Sequence, residues 1–170
     1  MEFRLFGEVQ LQAAGKLLDP GTPRQQAVLA ALVIDAGRPV AIETLIGRVW
    51  DEAPPVEARN VLYSHLSRIR QLLKRAGDTA TLDRRQAGYV LDVEPDSVDM
   101  HRFWRLVEQS GDDEEKSTAL TAALSLWRGT PLAGVPGEWV EQVRDRWLRR
   151  RLDALVRWGE VQLRLGRPAA

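Results

Sequence analysis

The chain has 170 residues, 44% of them hydrophobic, with 24 Lys/Arg balanced by 24 Asp/Glu. That length supports one large or two small cores, and a net charge of zero gives no bulk argument for a polyanion partner. The lack of cysteine excludes disulfides and thiolate metal sites and suits a reducing compartment. No apolar run approaches the roughly 20 residues of a membrane span, and the alternating N-terminus does not read as a signal peptide. A cytoplasmic protein is expected.

In chain order, Phe3, Leu5, Val9 and Leu11 alternate with Arg4, Glu8, Gln10 and Gln12, broken by Gly7 and Ala14-Gly15. Period two predicts two or three short antiparallel strands. Thr22-Pro23-Arg24-Gln25 opens a helix with Thr as N-cap, Pro in the first turn and Gln three residues after the cap. Val28, Leu29, Leu32 and Val33 are its buried side, and Gly37 is its stop. A second helix runs from about Ile42 to Asp51 on Leu45, Ile46, Val49 and Trp50, ended by Pro54-Pro55.

A third helix, Arg59 to Arg75, carries Leu62, Leu66, Ile69 and Leu73 on one face. At about 100° per residue, Asn60, Ser64, Ser67, Arg68, Gln71 and Arg75 fall on the opposite face. Tyr63 and Lys74 flank it, and Arg70 lies near the apolar edge. These are side chains that hydrogen-bond base edges and phosphates. A solvated surface helix is the plain alternative, but such helices mix acids with Arg at spacing four. No acid occurs here between Glu57 and Asp78. Thr79 to Val93 reads as a β-hairpin with Arg84, Arg85 and Gln86 at or near its tip.

From Asp99 the pattern turns helical. Asp99 is expected to cap a helix holding Phe103, Leu106 and Val107, and Gly111 to Glu115 reads as an acidic break. A helix to about Trp127, a Gly/Pro loop (RGTPLAGVPG) and a long helix from about Glu138 to Leu165 follow. Val140, Val143, Trp147, Leu148, Leu152, Leu155, Val156 and Leu163 are expected to line one face of the last helix. Trp127 and Leu132 should pack the helices on either side of the loop together, and the other tryptophans read as core.

The zero net charge hides three blocks. Arg59 to Val90 holds seven Lys/Arg against two Asp, Leu91 to Glu115 nine acids against two Arg, and Arg144 to Arg167 eight Arg against three acids. Arg149-Arg150-Arg151 reads as a solvated face, with a backbone contact to DNA as the alternative. No metal is expected, since His65 and His101 are the only histidines and neither has a carboxylate four residues on. No P-loop, GxGxxG or GxSxG occurs, so no cofactor and no catalytic residues are expected.

Val49-Trp50 ending the second helix, HLSRIRQLL (His65 to Leu73) and AGYVL (Ala87 to Leu91) resemble the DNA-binding domain of OmpR/PhoB-type response regulators. ALSLWRGTPLAGV (Ala123 to Val135) is similar to the bacterial transcriptional activation domain, BTAD. Together they resemble the Streptomyces antibiotic regulatory protein (SARP) family, including the N-terminal part of AfsR-type regulators. The resemblance implies an α+β winged helix-turn-helix with an N-terminal antiparallel sheet over 1–95. An all-α, TPR-like module follows over 96–170, shorter than the family's.

It also implies a transcription activator that binds double-stranded DNA at direct repeats in tandem, with RNA polymerase and its sigma factor as partners. Antibiotic genes would be its targets and the nucleoid its location. Carried onto this chain, Asn60, Ser64, Arg68 and Gln71 face base edges. Arg70, Lys74 and Arg75 take phosphates, and Arg84, Arg85 and Gln86 belong to the wing. The loop from Asp51 through Glu52 to Glu57 is offered to polymerase. The rivals are a non-activating repressor and a module whose basic face meets an acidic protein.

Overall fold

The computed structural model describes residues 1–77 and 79–167. Alternation around Phe3 and Leu11 builds a three-stranded antiparallel sheet: β1 (Glu2–Arg4), β2 (Gln10–Ala13) and β3 (Lys16–Leu18), in that order. Phe3 pairs with Leu11 and Leu11 with Leu18, which keeps the apolar positions on one face. Ala14 and Gly15, with φ of 48° and 75°, make the two-residue turn whose twist matches a hairpin.

Thr22 caps α1 (Pro23–Ile34), its hydroxyl accepting from the Gln25 N–H at 3.3 Å with Pro23 in the first turn. Val28, Leu29, Leu32 and Val33 are fully buried. Helices α2 (Ile42–Trp50) and α3 (Ala58–Arg75) pack on α1 and on each other. Leu45 and Val49 from α2 and Leu62, Leu66 and Ile69 from α3 complete the apolar centre. Strands β4 (Thr81–Arg85) and β5 (Gly88–Asp92) form the wing. Val40 pairs with its edge through two bonds to Tyr89, of 2.8 and 2.9 Å. Position 88 has to be glycine, because a Cβ there would stand 2.1 Å from the Val40 carbonyl oxygen at a φ of +140°.

A 3-10 turn (Pro95–Ser97) leads to α4 (Asp99–Val107), α5 (Asp113–Ser125) and α6 (Glu138–Arg164). The architecture is the expected winged helix with an N-terminal sheet, followed by helices alone.

Five details differ from the sequence reading. Asp99 does not cap α4. It lies inside the first turn, fully buried, and its carboxylate accepts from the Leu5 N–H (2.9 and 3.0 Å), the Phe6 N–H (3.1 Å) and Arg128. Burial pushes this carboxyl above the ordinary carboxylate range, and the two amides and Arg128 pull it back only part of the way. The acidic run is the break between α4 and α5 only in part: Gly111 and Asp112 lie there, while Asp113, Glu114 and Glu115 open α5. Asp112 caps it in a reciprocal box with Glu115, so the acids sit where the helix dipole favours them. Trp127 falls beyond α5, which ends at Ser125.

The buried stripe of α6 is Val140, Val143, Trp147, Ala154 and Val161, at steps of three, four, seven and seven. Leu148, Leu152, Leu155, Val156 and Leu163 are instead exposed, Leu163 by 69%. Finally, Trp127 and Leu132 do more than join α5 to α6. Trp127 stacks flat on Phe6, with centroids 4.0 Å apart and planes 9° apart, while Phe103 and Trp147 meet Phe6 edge-on at 5.3 and 5.4 Å. The Leu132 N–H donates to the Leu5 carbonyl at 2.9 Å and the Arg128 N–H to that of Phe6 at 2.8 Å. The stretch after β1 thus lies among the C-terminal helices, and one apolar core runs across residue 95.

Candidate nucleic-acid interface

Helix α3 has a buried side and an open side. Ala58, Leu62, His65, Leu66, Ile69, Leu72 and Leu73 are buried. Asn60, Ser64, Ser67, Arg68, Gln71, Lys74 and Arg75 are all exposed, as their phase predicts. Among the described residues, Arg68, Lys74, Arg75 and Arg84 make no ion pair. Asn60 donates its side-chain N–H to Glu57, and the Ser64 hydroxyl donates to the Asn60 carbonyl at 3.1 Å. Ser64 therefore faces outward as an acceptor.

His65 does not belong to this open side. It is buried on the inner side, its ring 6.4 Å from that of Trp50. Burial, with Arg68 close by, pushes its imidazole below the ordinary value and favours the neutral form.

Arg70 is half-buried between helix and wing. Its Nε donates to the Leu82 carbonyl at 2.9 Å and its guanidinium lies 5.5 Å from the Tyr89 ring centroid. It fastens β4 and β5 to α3, which orients the wing relative to the reading face. Arg70, Lys74 and Leu82 line a cleft of about 220 Å³ between the two elements. Arg84, Arg85 and Gln86 are exposed around the wing tip, where Arg85 stands 3.7 Å from Asp83. Such an exposed pair is weak and easily exchanged for a phosphate.

In the loop from Asp51 to Glu57, Asp51 is already engaged. Its two carboxylate oxygens accept from the Glu138 and Trp139 N–H groups at 3.1 and 3.3 Å. They cap α6, whose own cap position is Gly137 with no side chain to offer. A helix opening on Gly137 without a Ser, Thr or Asp was the sequence signal that its cap comes from elsewhere. Glu52 is exposed and Val56 fully open, and Glu57 holds Asn60. Val61 and Tyr63, each 37% exposed, also belong to the open part of α3, and amphipathic phase alone did not mark Val61.

Residues 20–91 match the family described as "Transcriptional regulatory protein, C terminal" and residues 98–170 match the "Bacterial transcriptional activator domain". Transcriptional regulatory protein EmbR of Mycobacterium tuberculosis is 33% identical over 181 residues, spanning 100% of this chain and 46% of EmbR. The chain belongs to the SARP family of transcriptional regulators.

Other SARP-family relatives agree. Regulatory protein AfsR of Streptomyces coelicolor is 33% identical over 153 residues, covering 86% of this chain and 15% of AfsR. Transcriptional regulator RedD of the same organism is 32% identical over 143 residues, covering 78% of this chain and 40% of RedD. A solved structure of Mycobacterium tuberculosis EmbR in complex with a low affinity phosphopeptide superposes with a TM-score of 0.87 at 32% identity. It covers 98% of this chain and 46% of that one. The chain thus spans less than half the length of these relatives. All three are named as regulators. Among the described residues no helix is long and apolar enough to cross a membrane.

Proposed function

We propose that this SARP-family chain is a sequence-specific DNA-binding activator. Residues 1–95 act as the reading unit and 96–170 as the activation module. Helix α3 enters the major groove, where Asn60, Ser64, Ser67, Arg68 and Gln71 meet base edges. Lys74 and Arg75 take phosphates, Arg70 sets the angle of the wing, and Arg84, Arg85 and Gln86 follow the backbone or minor groove. The observation that carries this reading is an open α3 face on which Arg68, Lys74 and Arg75 make no ion pair among the described residues, beside a wing tip that adds Arg84.

The protein works in the cytoplasm at the nucleoid, by equilibrium binding and recruitment, with no bond made or broken. RNA polymerase and its sigma factor meet the loop after α2 at Glu52 and Val56. Asp51 supports that loop by its cap on α6. The family resemblance points to secondary-metabolite promoters.

One winged helix reads few base pairs, so two copies sit head to tail on a direct repeat, about one helical turn apart. Such a contact joins unlike patches and does not require a dimer in solution. Footprinting on the chain's own upstream region supplies a probe, and gel shifts on it test the reading. A second half-site in phase should raise affinity through high effective concentration, and moving it by about five base pairs should remove the gain. Affinity should fall linearly on a log–log plot against salt. Cooperativity indifferent to spacing would refute the tandem arrangement, and a flat salt response would favour a protein partner.

A further inference from the structure

The arginines of α6 and of the turn just past it do different jobs. Arg144 donates to the carbonyls of Pro131 and Leu132, and Arg151 lies 5.1 Å from the Trp127 ring. Arg164 and Arg167 pair with Asp113 and Glu114. Three others, Arg146, Arg150 and Arg157, recur at steps of four and seven along one stripe. They are exposed and, among the described residues, make no ion pair. That stripe forms one wall of a cleft of about 680 Å³ between α6, α4 and the end of α1. Arg38, just past α1, is the fourth cation at its edge. The floor is apolar, built on Trp147 and Met100.

We propose that this cleft binds a purine nucleoside polyphosphate. Its volume lies within the roughly 300–1,000 Å³ of small-molecule sites, and an apolar floor with a few convergent polar groups is what such sites share. The guanidiniums match phosphate oxygens in geometry as well as charge. Trp104, half-buried on the α4 wall with the Arg150 guanidinium 5.9 Å from its ring, offers a flat surface for a base. Glu108 and Asp153 also line the cleft. Two carboxylates disfavour a bare polyphosphate, but they accept hydrogen bonds from ribose hydroxyls and base amino groups. That mixture of cations, acceptors and an aromatic face selects a nucleotide over inorganic phosphate or an acidic peptide. A ligand here would touch the α1 side of the winged helix and the helical module together.

Isothermal titration with ATP and GTP, inorganic triphosphate and adenosine tests the assignment. One nucleotide should bind at a single site, and both fragments should bind about tenfold or more weaker. The exposed double substitution Arg146→Ser, Arg150→Ser should weaken the nucleotide by about tenfold or more while leaving melting temperature and DNA affinity unchanged. Trp104→Leu should weaken the nucleotide but not inorganic triphosphate, with circular dichroism checking its fold. Arg68→Ala, on the DNA-reading face, should leave nucleotide binding intact. The assignment is overturned by no heat at about 1 mM of either nucleotide. Inorganic triphosphate binding as tightly as the nucleotide also overturns it, as does indifference to the arginine substitutions. A loss in Arg68→Ala would place the anion on the reading face and overturn it too.

Discussion

Phe6→Ala probes whether the DNA-reading and helical regions unfold as one. Phe6 is fully buried, stacked at 4.0 Å on Trp127 and met edge-on by Phe103 and Trp147. Truncating such a phenylalanine costs about 3–5 kcal/mol, from lost transfer energy and the cavity left behind. Trp127→Ala falls in the same range, and the stacked pair adds about 0.5–1.5 kcal/mol that a double-mutant cycle isolates. Against a total of roughly 5–15 kcal/mol, either change is large. Urea unfolding of wild type, both single variants and the double variant would be followed by far-UV circular dichroism, with DNA binding measured on the same samples. Because the core is continuous across residue 95, one transition is expected in every case, with DNA binding lost as the folded fraction falls. Two separated transitions, with DNA binding surviving the first, would refute the shared core. Strict additivity in the cycle would show that the stack contributes nothing beyond burial.

Three further outcomes are expected. Arg68→Ala should cost about 1–3 kcal/mol on the specific site and much less on random DNA, whereas equal losses in gel shifts would make it a phosphate contact. Replacing Arg84 and Arg85 by Ala should reduce the salt slope of binding by about two and weaken all sequences alike, and an unchanged slope would mean the wing points away from the duplex. For Asp99, burial raises the folded-state pKa, so the native state holds the proton more tightly than the unfolded chain. Its contribution to stability is then greatest below the unfolded value and declines as pH rises through the interval up to the folded value. Asp99→Asn sets an NH₂ among amide donors and should cost about 1–3 kcal/mol, with a penalty that shrinks from pH 4 toward pH 7. A penalty that grows over that range would show that Arg128 and the two amides outweigh burial.

Local chemistry explains why some of this was readable in advance. The cap at Thr22, the buried phase of Leu62, Leu66, Ile69 and Leu73 and the wing around Gly88 depend on neighbours close in the chain. Rotamer, capping and turn preferences act over that distance, and the pattern records them. The open α3 face followed from the same phase, since what is not buried against α1 and α2 must face out. Arg70 shows where that phase stops deciding. Its phase put it at the edge of the apolar stripe, and an edge residue goes inward or outward according to what the neighbouring element offers. Here β4 offers the Leu82 carbonyl and β5 the Tyr89 ring.

The misreadings farther along come from partners distant in sequence. Asp99 looks like a cap because an acid before an apolar helix usually is one, but its acceptors face amides 93 and 94 residues away. Asp51 looks like a solvated loop acid, yet α6, which begins 87 residues later, needs an acceptor that Gly137 cannot supply. In α6 the exposed leucines and the buried stripe share a hydrophobic character, so composition could not say which row faces α5. The choice falls to the smaller residues: Ala154 and Val161 let the helices approach where Leu152 and Leu163 would hold them apart. The same logic sorts the arginines. Their count shows a basic tail, but partners already fixed in the fold neutralise Arg164 and Arg167 and bury the uses of Arg144 and Arg151. Net charge therefore overstates the cation available to a ligand on α6, and the stripe facing α4, without an ion pair among the described residues, is where a polyanion would find it.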